Sequence, residues 1–107
     1  MININGNLIS NLDSVDINNY SFIINNYTFY EEIHFENGLL FFWEDHFFRI
    51  MASLRRLRFK IPLCFNKNFL KNELIKTIKA NKLGEKSGNI KFNFYSKLNQ
   101  SKIDYLI

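Results

Sequence analysis

Apolar and polar positions alternate at two periods along this chain, and the changes of period mark its elements. Residues 2–9, ININGNLI, alternate around Asn5-Gly6, a pair that tolerates positive φ at both turn positions, so a small hairpin is expected. Ser, Asn and Asp dominate 10–19, which reads as loop. Residues 20–35, YSFIINNYTFYEEIHF, are aromatic and β-branched, and they predict a strand over about 28–35 after an irregularity at Asn25-Asn26. Asn37-Gly38 then suits a type I′ turn, with LLFFW (39–43) as the returning strand.

The period then changes to that of a helix. Phe47, Ile50, Met51, Leu54 and Leu57 share one face, and Asp45 is placed to cap a helix that starts near His46 and stops before Pro62. Asn66 is a candidate cap for a second helix running to about Leu83, with Leu70, Leu74, Ile75 and Ile78 inward and Gly84 as terminator. NIKFNFY returns to strand alternation through Ile90, Phe92 and Phe94, and KIDYLI repeats it through Ile103, Tyr105 and Ile107. Strands on both sides of a helix pair predict an α+β domain over 1–107: a mostly antiparallel sheet with two helices packed on one face, its other face available to a second domain or chain.

Composition supplies the core this plan needs, being 47% hydrophobic with 12 Phe. Net charge is +4, and Lys67, Lys71, Lys76, Lys79 and Lys82 read as the solvated face of the second helix. The one cysteine, Cys64, lies between Leu63 and Phe65 and is expected to be a buried, inert thiol; it excludes an internal disulfide and a cysteine-based metal site. The first ten residues lack the basic start and apolar run of a signal peptide, and no stretch is apolar for the ~18 residues of a membrane span, so a soluble, cytoplasmic chain is expected.

The stretch EDHFFRIMASLRRLR interleaves four arginines with apolar residues. Arg49, Ser53, Arg56 and Lys60 share a face, whereas Arg55 and Arg58 do not, so the cations form no single stripe and weigh against a nucleic-acid helix. His34 and His46 have no metal-ligand spacing; His46 reads as a helix-start residue held by a carboxylate. No G-x-S-x-G or glycine-rich phosphate loop occurs, so an anion site would rest on a guanidinium, whose planar fork makes two parallel bonds to phosphate. Arg49, one turn into the helix, suits that task; a surface ion pair with Asp45 is the equal alternative from residue physics.

NGLLFFWEDHFFRIMASLRRLRFKIP resembles the small N-terminal domain of class IV aminotransferases, the fold-type IV pyridoxal-phosphate enzymes that include branched-chain aminotransferase and aminodeoxychorismate lyase. The resemblance rests on Asn37-Gly38, Glu44-Asp45-His46, Arg49 and Ala52-Ser53-Leu54. MININGNLIS is similar to the family's opening strand pair, and NIKFNFYSK and KIDYLI to the strands that close its small domain. The resemblance implies that Arg49 holds the phosphate of pyridoxal phosphate, that Asn25, Tyr27 and Glu31 lie along the substrate pocket, and that the protein is a homodimer. It implies a small-molecule substrate, an amino acid or an aminodeoxychorismate-type compound.

The chain also departs from the family pattern. Asn25 stands where the family has Tyr, Asn26-Tyr27-Thr28 replace Gly-Asp-Gly, and Glu32 follows Glu31 where the family has Thr or Gly. The cofactor-binding lysine belongs to the family's large second domain, and no lysine of 1–107 matches it, so these residues alone would supply no catalytic amine. A degenerate domain kept for its fold or dimer surface is the alternative function; a basic nucleic-acid module is a third.

Overall fold

The alternating segments join in one six-stranded antiparallel sheet, seen in a computed structural model that describes residues 1–10, 27–96 and 103–107. The strands are β1 (Ile2–Ile4), β2 (Asn7–Ile9), β3 (Tyr27–Glu36), β4 (Leu39–Leu40), β5 (Ser87–Tyr95) and β6 (Asp104–Leu106), in the order β2-β1-β6-β5-β3-β4. The helices among the described residues are α1 (Trp43–Arg56) and α2 (Lys67–Ala80). The α+β expectation holds. The expected loop over 10–19 and the irregularity at Asn25-Asn26 fall outside the described residues, except for Ser10.

Both turns form as their residues require, with positive φ at Asn5 (51°) and Gly6 (90°), and at Asn37 (47°) and Gly38 (78°). The longest ladder is β3 against β5, from Glu36↔Ser87 to Phe29↔Phe94, with a register shift between Tyr27 and Phe29. Ile33, Phe35, Phe92, Phe94 and Tyr105 are buried on one side, where α1 and α2 pack on them through Trp43, Ile50, Leu54, Leu70 and Leu74. Rings fill this layer: Phe92 stacks on Phe94 with centroids 4.5 Å apart, and Tyr105 meets Phe92 edge-on at 5.7 Å. The opposite face carries Tyr30, Glu32, His34 and Lys91, with the Lys91 ammonium 4.1 Å from the Tyr30 ring centre.

Several boundaries differ from expectation, each for a local reason. The returning strand ends at Leu40, because Trp43 turns inward and starts the helix with Phe47, Ile50 and Leu54 at spacings of four, three and four. Its indole Nε1 donates to the Lys67 carbonyl at 3.2 Å. Asp45 therefore lies inside the first turn and caps nothing; the cap position is Phe42, left-handed at φ 55° with no side-chain capping bond. The helix ends at Arg56, well before Pro62. Arg58 takes a left-handed conformation (φ 60°), and the Phe59 and Arg58 amides close back on the Leu54 and Arg55 carbonyls at 3.0 Å.

In α2, Asn66 caps as expected, its side chain accepting from the Phe69 amide at 2.8 Å. Lys82 (φ 59°), rather than Gly84, is its left-handed terminator. Leu57 is exposed and Ile75 only half-buried, so neither belongs to the core. Cys64 is exposed, which corrects the buried-thiol expectation: the turn lets Phe65 enter the core and leaves Leu63 and Cys64 outside.

A buried polar network joins the N-terminal hairpin to α2 and β6. Asn3 Nδ2 donates to Glu73 Oε2 at 2.9 Å and to Thr77 Oγ1 at 3.1 Å; Lys76 Nζ lies 2.7 Å from Glu73 Oε2. Burial alone would raise the Glu73 carboxyl pKa, but bonds from Lys76 and Asn3, the Lys76 charge and the Tyr105 hydroxyl hold it below its ordinary 4.5. Burial first, then the Glu73 charge, raises the pKa of the Tyr105 phenol, which stays a donor. A depressed carboxyl contributes stability that is fully present above about pH 4.5 and is lost as pH falls through the folded-state value. Thermal midpoints measured from pH 6 down to pH 3 should therefore drop more steeply in the wild type than in Glu73→Gln. Parallel curves would remove Glu73 from the acid response.

Candidate anion site on the first helix

Glu31 occupies the helix-facing side of β3, the parity otherwise held by Phe29, Ile33 and Phe35. A carboxylate there must find partners, because an unpaired buried charge costs several kcal/mol, on the order of 3–5 kcal/mol. It finds them on α1. His46 Nδ1 lies 2.6 Å from Glu31 Oε2. Arg49 Nε donates to Oε1 at 3.2 Å and to Oε2 at 3.4 Å, and Arg49 Nη2 donates to Oε2 at 3.3 Å. His46 and Arg49 stand three residues apart, on neighbouring turns of the helix face above β3.

Arg49 Nη2 also lies 2.9 Å from His46 Nδ1. One nitrogen cannot donate to a carboxylate and accept from a guanidinium at once. The shorter contact assigns the hydrogen to Nδ1, donating to Glu31, since a neutral Nδ1 lone pair would face the carboxylate at 2.6 Å. Glu31 and His46 are mostly covered, with side chains 15% and 12% exposed, whereas Arg49 is 55% exposed. The Nε and Nη2 edge of the guanidinium is thus engaged, and none of these bonds uses Nη1.

The surface ion pair considered for Arg49 exists, but with Glu31 rather than Asp45. His46 is held by a carboxylate, as its position suggested, and again the partner is Glu31. Nothing in the local spacing marked that residue, which lies 15 positions from His46. The usable signal was strand parity: a charged residue in phase with three apolar ones. Asn25 lies outside the described residues. The backbone of Tyr27 starts β3, and its side chain is outside the description.

Arg55, Arg56 and Arg58 are exposed around the end of α1 and make no ion pair among the described residues. No group of three or more His, Cys, Asp or Glu able to hold a metal occurs among the described residues. No helix of the described residues is long and apolar enough to cross a membrane. A cleft of about 310 Å³ opens by Met1, Ile78, Asn81, Leu83 and Ile107; none of its lining residues lies on α1.

A comparison with curated proteins found no match. The family model for amino-transferase class IV matches residues 28–102, most of the chain and all of β3, α1, α2 and β5 except Tyr27. The family is generally pyridoxal-phosphate-dependent. The strand–turn–helix unit that carries Glu31, His46 and Arg49 lies within the matched stretch, and the chain belongs to the class IV amino-transferase family.

Proposed function

We propose that this chain serves as the small domain of a pyridoxal-phosphate-dependent class IV enzyme, an aminotransferase or an aminodeoxychorismate lyase, with Arg49 as the arginine for the cofactor phosphate. The observation that carries this reading is a guanidinium fixed along one edge by Glu31 and more than half exposed elsewhere. The N–H groups of Nη1, which Glu31 does not take, suit an oxygen of a phosphate monoester. The residues present fit the phosphate end of the cofactor. No lysine belongs to the described cluster around Glu31, so the aldehyde end would be held by a second domain bearing the lysine. When bound, the cofactor supplies the electron sink for amino-group chemistry, and this chain's part is to hold and orient its phosphate. The start of β3, from Asn25 through Tyr27 to Glu31, would wall the pocket of an amino acid or aminodeoxychorismate-type substrate, in a cytoplasmic homodimer.

The alternative, a non-catalytic domain kept for its fold or dimer surface, is favoured by Asn26-Tyr27-Thr28, where glycine freedom and an aspartate are lost. Calorimetric titration of the chain with pyridoxal 5′-phosphate, and in parallel with pyridoxal, separates the two. Saturable binding that inorganic phosphate displaces, and that pyridoxal without its phosphate lacks, is the expected result. Pyridoxal binding as tightly as its phosphate ester would remove the role given to Arg49.

A further inference from the structure

We infer that Glu31, backed by His46, is the positioning residue of the Arg49 anion site; this rests on the reading of Arg49 as an anion-binding group. A carboxylate beside a phosphate arginine is electrostatically unfavourable for the phosphate, so its presence asks for a compensating role. The geometry supplies one. Arg49 Nε donates to Glu31 Oε1 at 3.2 Å and Nη2 to Oε2 at 3.3 Å, so one edge of the guanidinium is turned down onto the sheet. That leaves the two N–H groups of Nη1 for a ligand.

Glu31 cannot follow the arginine outward, because His46 Nδ1 holds Oε2 at 2.6 Å, the shortest contact of the three residues. The order of exposure agrees: His46 and Glu31 at 12% and 15% form the fixed part, and Arg49 at 55% the working part. Without the carboxylate, the long arginine side chain would sample several rotamers above the helix and would lose that freedom only when an anion arrived. Ordering a long side chain on binding typically weakens affinity by roughly three- to tenfold.

The two effects of Glu31 have opposite signs, so one substitution decides between them. In Glu31→Gln the negative charge is gone and the edge-on clamp is weakened. If Glu31 acts mainly as a nearby charge, inorganic phosphate binds the variant more tightly. If it positions Arg49, phosphate binds about three- to tenfold more weakly despite the lost repulsion. The readout is the Arg49 side-chain Nε–H resonance of the full chain, observed free and during phosphate titration.

In the wild type that hydrogen is expected to be protected from solvent exchange before any phosphate is added. In Glu31→Gln the protection should fall, and in His46→Gln it should fall partway, since Glu31 loses its backing. Unchanged protection in Glu31→Gln, or tighter phosphate binding, overturns the positioning role while leaving Arg49 as an anion site. A phosphate affinity, followed through backbone amide resonances, that Arg49→Ala fails to lower overturns the anion site itself and the present inference with it.

Discussion

Arg49→Ala should lower the affinity of the chain for pyridoxal 5′-phosphate by tenfold or more, and Arg55→Ala by less than about twofold. Hydrogen bonds to charged groups contribute roughly 1.5–3 kcal/mol, which is about ten- to a hundredfold in affinity. Arg55 contributes only diffuse charge, which salt screens. The comparison isolates binding from folding. The Arg49–Glu31 pair is half-exposed on the arginine side, and such pairs contribute at most about 1 kcal/mol. Glu31 also keeps His46 when the guanidinium is removed, so no unpaired carboxylate is left behind. Parallel titrations of both variants, with circular dichroism as the folding control, provide the check. Equal losses in the two variants would reduce Arg49 to one cation among several.

Phe92→Ala should destabilise the domain by about 3–5 kcal/mol, a large part of the roughly 5–15 kcal/mol typical of a whole domain. Phe92 is fully buried, stacks on Phe94 and meets the edge of Tyr105. Its loss opens a cavity under both helices. It also stands opposite Glu31 in the ladder, so relaxation there should disturb the anion site. Leu63→Ala, at a fully exposed apolar position, should change stability by less than about 0.5 kcal/mol. Urea unfolding midpoints of the two variants test this. Similar midpoints would mean that the aromatic layer is not what holds the sheet to the helices.

The strands were legible because their signal is local. Asn5-Gly6 and Asn37-Gly38 declare their turns, and the alternation of Ile90, Phe92 and Phe94 declares a half-buried strand. What was not legible came from residues obeying a distant partner. LLFFW reads as strand until Trp43 is counted with the helix, which the reach of its indole to the Lys67 carbonyl makes plain. Lys82 and Arg58 do the work expected of glycine, at a conformational cost that the interaction of a cation with a helix C-terminus partly offsets. Cys64 looked buried because both its neighbours are apolar, yet one of them turns out instead of in. The helix placement of Arg49 was readable, whereas Glu31 was named through the resemblance alone and not as the partner of Arg49 and His46. Glu73 and Thr77 were hidden in the same way: they sit on the inner face of α2 to meet Asn3, 70 and more residues earlier.

The seam between β1 and β6 bears on how this molecule is built. Asn3 and Ile107 exchange backbone bonds of 3.0 and 2.8 Å, so among the described residues the opening hairpin joins the sheet through a strand made about a hundred residues later. Such a hairpin is marginal in water by itself. A nascent chain must therefore carry it unpaired with the rest of the sheet until β6 has been made, held at most by its side-chain bonds to α2, while the β3–β5 ladder and its two helices can already assemble. The high contact order of that last closure makes it the natural slow step of folding.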